Sequence, residues 1–339
     1  MKPEVVVHFN STIAHCSQIF TGLEMLREAG QINLKYELAL AEIPFNKLRI
    51  SYKGKRVIFD MADDSILDMD LLDSGDFYVK RMLLKSDSVK SKKLIPFGLN
   101  YSVMVPNHFF ERVWMKNTSL TSYSAKYHLF ISKMLGINDS IYNVNLANME
   151  SNPKDQGKII FVTRLWDPQK NEENFKKEER KKLNNQRIAI IRTLKRNYGD
   201  EFIGGMEKSW LSNVLCPDLI VYKSQSNKTS YLNFLKEGVI GISNFGLEGS
   251  IGWKFAEYIA HGMAIVSTPI DEYLLHGDLI AGKNFLKFET LDECLSAVDL
   301  LKTNPDLKRG IQDENIKYYR EFLHPRRKME VILNQIDGR

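Results

Sequence analysis

The chain has no run of eighteen apolar residues, so no segment is long enough for a spanning helix, and the expectation is a protein that does not cross a bilayer. A secretory leader is not expected either: the first four residues run straight into VVVHF, too short for an apolar leader core. Cysteine is scarce. Cys16, Cys216 and Cys294 lie far apart without metal-ligand spacing, which excludes a disulfide scaffold and points to a reducing, cytoplasmic setting. There is no internal repeat and no low-complexity tract. A strong charge of either sign is also missing: 47 basic against 42 acidic residues leave a net charge of +5. That is too small to argue nucleic-acid binding, though it suits an anionic nucleotide or contact with an anionic membrane surface. What is present is 339 residues, 43% of them hydrophobic, enough for two domains with their own cores.

Strand-like and helix-like segments alternate. VVVHF (5–9), RVIFD (56–60), DFYVK (76–80) and KLIPF (93–97) read as strands, with an amphipathic helix over residues 17–29 closed by Gly30. The polar stretch SNPKDQG (151–157) is the best linker. After it come the strand KIIFVT (158–163), a charged stretch (171–182), a helix stopped by Gly199 and a strand LIVY (219–222). Further helices follow around ECLSAVDLL and residues 314–323, and Pro325 precedes a last one. This order predicts two doubly wound parallel sheets whose ligands bind beyond the carboxyl ends of the strands, with a cleft between domains. The expected divisions are residues 1–150, residues 151–312, and C-terminal helices over 313–339 that pack back on the first domain.

Residues 238–269, GVIGISNFGLEGSIGWKFAEYIAHGMAIVSTP, carry the most information. They read as a strand, a loop with three glycines, a helix and a second strand. A helix start after such a loop presents backbone N–H groups and a positive dipole end, which suits a diphosphate. Glu257 lies one to two turns into that helix, where a carboxylate can accept hydrogen bonds from ribose hydroxyls, so the pattern suggests a sugar nucleotide. Independently, KIIFVT runs into RLWDPQKN, where Arg164 and Lys170 stand six apart across a turn marked by Asp167 and Pro168. Two cations at the carboxyl end of a strand can converge on one diphosphate.

Together these motifs resemble the nucleotide-binding half of GT-B fold glycosyltransferases, nearest to the large retaining bacterial group (family 4, or group 1). The resemblance covers residues 158–269 best. It implies two Rossmann-like domains facing a cleft, with Arg164 and Lys170 holding the leaving diphosphate. Donor contacts would come from Ser250, Ile251 and Gly252, with Glu257 on the ribose. It also implies retention of configuration without a metal or other cofactor, and a role in bacterial surface polysaccharide synthesis. The partners would be a nucleotide-sugar donor and a carbohydrate or lipid-linked glycan acceptor, with no nucleic acid, and with peripheral contact at the inner membrane face. Two departures stand out. Thr163 takes the place of the usual glycine, and Glu248 lies nine residues before Glu257 where the family spaces its pair by eight. Either the loop carries an extra residue or the first carboxylate has been abandoned.

Each functional reading has a structural rival. Arg164 and Lys170 would ordinarily be solvated loop cations, and Glu257 an exposed helix carboxylate; Lys254 in the helix's first turn fits either a nearby anion or a surface lysine. On the acceptor side, Asp60, Lys80 and His15 are the candidates, with Arg81 beside Lys80 and His8 inside the first strand. Turn duty for Asp60 and core packing for His8 are the alternatives. The cluster Asp60, Asp63 and Asp64 could hold a divalent cation, but two cations and a helix start already answer the diphosphate charge, so no metal is expected. A nucleotide-sugar epimerase of the same fold and a non-catalytic nucleotide-sugar-binding subunit remain as alternatives to a transferase.

Overall fold

In EVVVHF, buried positions alternate with more exposed ones, which is the signature of a strand lying on a core with one face. The computed structural model describes residues 2–9, 13–38, 43–44, 46–105, 144–221 and 228–338, and places β1 at Glu4–Phe9 with Val5, Val7 and Phe9 buried. The chain divides into two units. One comprises Met1–Met149, Glu272–Asp278 and Arg320–Arg339, and the other Glu150–Asp271 and Leu279–Tyr319. Both are α/β, each built on a parallel-rich sheet with flanking helices.

In the first unit, β1 is followed by α1 (Ile13–Glu28), β2 (Asn33–Leu38), β3 (Lys47–Tyr52), β4 (Lys55–Asp60), β5 (Phe77–Lys80) and β6 (Leu94–Pro96). The sheet order is β2-β1-β3-β4-β5-β6. A wholly parallel sheet was expected, and here the structure differs: β3 runs antiparallel to both β1 and β4. The cause is local. Lys53 (φ 49°) and Gly54 (φ 77°) form a two-residue loop with positive φ at both positions, the geometry that joins adjacent antiparallel strands.

The second unit runs β7 (Lys158–Thr163), α2 (Asn174–Tyr198), β8 (Phe202–Met206), α3 (Lys228–Glu237), β9 (Gly238–Ser243), α4 (Trp253–Ala260), β10 (Ala264–Ser267), β11 (Leu286–Lys287), α5 (Leu291–Thr303) and α6 (Pro305–Tyr318). Its sheet, β11-β10-β9-β7-β8, is parallel throughout. Two further expectations change. The charged stretch from Asn174 onward is itself the start of α2. The strand expected at 219–222 is replaced by a 3-10 turn over Pro217–Leu219 and a single bridge from Ile220 to Met206, with Tyr222 outside the described residues. Residues 10–12, which follow β1, also lie outside them.

The last helix, α7 (Pro325–Asp337), belongs to the first unit. Its Met329, Ile332, Leu333 and Ile336 join Cys16, Ile19, Phe20 and Leu23 of α1 in one core against the sheet. Full burial of an apolar side chain of this size is worth about 1.5–3 kcal/mol, so α7 is a structural part of that unit. The two helices meet closely at Gly22, where an added Cβ would stand 2.3 Å from the Pro325 carbonyl oxygen. No helix among the described residues is long and apolar enough to cross a membrane.

Candidate functional site

In a parallel sheet the carboxyl ends of the strands expose loops from adjacent strands to one another, and ligands bind there. In the second unit, Arg164 follows β7, Glu207 follows β8, Asn244 follows β9 and Thr268 follows β10. Their spacing is fixed by the continuing backbone: Glu207 N–H donates to Thr163 O at 2.8 Å, and Thr268 N–H to Ser243 O at 3.2 Å.

Arg164 and Lys170 are both exposed. The Arg164 guanidinium lies 4.0 Å from the centre of the Trp166 ring, a stacked cation–π arrangement. Asp167 caps the following 3-10 turn, accepting from Gln169 N–H, and Pro168 and Lys170 lie within that turn. Neither Arg164 nor Lys170 makes an ion pair among the described residues. Helix α2 holds this loop in place. Asn184 accepts from Trp166 N–H (2.9 Å) and donates to Trp166 O (2.7 Å), while Arg180 donates to Asp167 O (2.8 Å).

The same helix reaches the glycine loop. Arg187, 6% exposed, donates to Arg164 O (2.7 Å), Phe245 O (3.1 Å) and Asn244 Oδ1 (3.4 Å), and so ties the two loops together. Burial, and then the neighbouring Arg164 charge, pushes its ionisation down to about 10, which leaves it cationic at neutral pH. Glu179 accepts from Gly249 N–H at 3.2 Å, and Lys176 Nζ stands 3.9 Å from Glu248. Within the loop, Gly246 N–H donates to Ser250 O and Ser250 N–H to Leu247 O. The Ser250 N–H, expected to reach the diphosphate, is bonded inside the loop. Glu248 (φ 58°) and Gly249 (φ 72°) are both left-handed, which turns the Glu248 carboxylate toward α2. Ile251 bridges back to Phe245, and Gly252 precedes α4, whose ladder begins with Phe255 N–H to Gly252 O.

Glu257 is not the exposed carboxylate that helix position alone would give. It is 4% exposed, and Tyr231 of α3 donates its hydroxyl to Glu257 Oε2 at 2.6 Å. Burial first, and then the Glu257 charge, hold the Tyr231 hydroxyl well above its ordinary ionisation range, so it stays a donor. Lys254 is pushed down to about 8 by desolvation, with Arg187 and Arg164 acting in the same direction and Glu257 and Glu207 opposing. Three cations, Arg164, Arg187 and Lys254, thus share one electrostatic neighbourhood with the carboxylates of Glu207 and Glu257. Arg187 and Glu207, and Tyr231 beside Glu257, do not stand out in the sequence. A signal for Arg187 was there: Lys176, Arg180, Asn184 and Arg187 recur at steps of four, four and three residues along one helix face.

In the first unit the charged candidates satisfy one another. Asp60, at the end of β4, accepts from the Tyr78 hydroxyl at 2.5 Å and from Lys80 Nζ at 3.0 Å, with Lys47 Nζ at 3.8 Å. Lys80 is 0% exposed and lies 3.4 Å from Asp64, and Arg81 pairs with Asp63. Asp60 and Lys80, expected to contact an acceptor, lie in a buried ion cluster. Its carboxylates face cations, the opposite of a metal cage. No group of three metal-ligating side chains occurs among the described residues. His15 lies in α1, half-buried, with its carbonyl oxygen accepting from Asn100 Nδ2 at 3.0 Å. His8 is held within the sheet, Nε2 at 3.1 Å from Ser51 Oγ and Nδ1 at 3.0 Å from Glu37.

No protein-family model matches the chain, and no curated protein matches it. Solved structures do. The C-terminal domain of a glycosyl transferase group 1 family protein (LpcC) from Francisella tularensis is 12% identical with a TM-score of 0.36, over 52% of this chain and 97% of that one. WaaG, a glycosyltransferase involved in lipopolysaccharide biosynthesis, is 11% identical with a TM-score of 0.41, over 91% and 79%. The glycosylation-associated Gap123 complex from Streptococcus agalactiae is 9% identical with a TM-score of 0.43; the match covers 98% of this chain and about half, 54%, of that one. The solved structures that this chain resembles thus include group 1 glycosyltransferases of GT-B fold, at low sequence identity, and a component of a glycosylation-associated complex.

Proposed function

We propose that the chain transfers a sugar from a nucleoside diphosphate donor to a hydroxyl of a carbohydrate or lipid-linked glycan acceptor. The donor would sit on the second unit. The observation that carries this reading is the pair of exposed cations, Arg164 and Lys170, at the carboxyl end of a parallel strand, without a carboxylate partner among the described residues and with Arg187 behind them. Charge builds on the diphosphate as the glycosidic bond to it breaks, so fixed cations there act more strongly on the transition state than on the bound donor. Arg164 and Lys170 would stabilise the leaving diphosphate, the start of α4 would add its dipole, and Glu257 would hold the ribose. Metal independence, retention of configuration, and a place in bacterial surface polysaccharide synthesis at the inner membrane face belong to the same reading.

Incubation with a panel of nucleotide sugars, with and without glycan acceptors, tests it through released nucleotide and elongated product. Arg164→Ala and Lys170→Ala should each lower turnover by about 10²-fold, the usual loss for one such charge-stabilising donor, with smaller changes in donor affinity. Unchanged turnover in both variants would remove the diphosphate assignment. One observation favours a second reading, a nucleotide-sugar-binding subunit without catalysis: Glu248, nine residues before Glu257 where the family spaces its pair by eight, stands 3.9 Å from Lys176 of α2. Donor binding with no turnover across the panel would decide for it.

A further inference from the structure

A carboxylate that is to receive hydrogen bonds from a ribose must be ionised and must hold one rotamer, yet Glu257 is buried, where a charge without partners is costly. The Tyr231 hydroxyl, 2.6 Å from Glu257 Oε2, meets both requirements. It stabilises the charged form and removes the freedom of a side chain with three torsions. The two groups come from different elements, Tyr231 from the first half of α3 and Glu257 from the second turn of α4, so the contact is set by tertiary packing. We propose that Tyr231 is a positioning residue for donor binding, acting through Glu257 to aim its carboxylate at the ribose hydroxyls of a nucleoside diphosphate. This rests on the donor assignment above.

A purely structural tie between α3 and α4 would also use this hydrogen bond, so the test must read the ribose itself. Binding of UDP, GDP, ADP and dTDP to the full chain is measured by calorimetry, together with the 2′,3′-dideoxyribose form of whichever binds. Tyr231→Phe should weaken the ribose nucleotide about tenfold, in the range for one hydrogen bond to a charged group. It should leave the dideoxy form bound as by the unaltered protein. Glu257→Gln should behave likewise, and the double variant should lose no more than the larger single loss. Equal weakening of both nucleotide forms by Tyr231→Phe, no weakening of either, or additive losses in the double variant would overturn the proposal while leaving the donor site standing. If none of the nucleotides binds the unaltered protein, the donor assignment falls and this inference with it. Should Tyr231→Phe not fold, 3-fluorotyrosine at position 231, of the same shape with a more acidic hydroxyl, takes its place. It must change the ribose-dependent part of the affinity, and no change would overturn the proposal.

Discussion

Lys254 gives the site a pH dependence whose sign follows from its surroundings. Its ionisation is lowered from 10.5 to about 8, so between those values the folded chain binds fewer protons than the unfolded one and stability rises with pH. Its charge therefore works against the fold below pH 8, while an anionic donor would be drawn by that charge. Stability and donor capture should move in opposite directions. kcat/KM for the donor should fall as pH rises past about 8, and Lys254→Arg should remove that limb while the urea midpoint of the unaltered protein climbs over the same range. A flat profile would show that the Lys254 charge does not act on the donor. Arg164, Lys170, Lys254 and Glu257 could be singled out from the sequence because each adjoins a strand end or a helix start. Tyr231 could not, because nothing within α3 signals a partner more than twenty positions away. Glu207 was hidden for another reason: it follows FIGGM, whose paired glycines weaken the strand pattern that would have marked the site.

Among the elements, α1 and α7 make the sharpest case. Gly22 lets them approach, and an alanine there would place its methyl against the Pro325 carbonyl oxygen and Met329 Cγ, at 2.3 and 2.6 Å. Because one contact is backbone, the helices must separate. Gly22→Ala should cost about 1–3 kcal/mol, read as a lower midpoint in urea at constant slope. An unchanged midpoint would mean that α7 is only loosely held. The apolar positions of α1 and the glycines after α1 and α2 were readable beforehand, since period and punctuation are local. The β3–β4 hairpin was missed because Lys53-Gly54 lacks the usual Asn or Asp before the glycine, although KLRISY alternates as a strand should. The N-terminal half of α2 reads as a charged stretch because its inward face is polar: side chains such as Glu179, Arg180 and Asn184 bind loop backbone where an ordinary amphipathic helix would carry apolar residues.

For the whole molecule, the two α/β halves were legible because strand and helix alternation is a property of the entire chain, whereas the mixed character of the first sheet depended on one turn. The ion cluster of Asp60, Asp63, Asp64, Lys47, Lys80 and Arg81 could be read only as separate charges, since its members come together from β3, β4, β5 and the loops after β4 and β5. That neutralisation, with three cations beside the expected phosphates, predicts transfer that persists in excess EDTA. Activity lost to the chelator and regained with magnesium or manganese would reverse the expectation. The composition of the first unit also bears on synthesis. Its core is open on the α1 side until Met329, Ile332, Leu333 and Ile336 arrive, and these are translated after every residue of the second unit. The second unit, lying between, can close first, so the order of folding runs against the order of translation, and the first half waits, with apolar α1 uncovered, for α7.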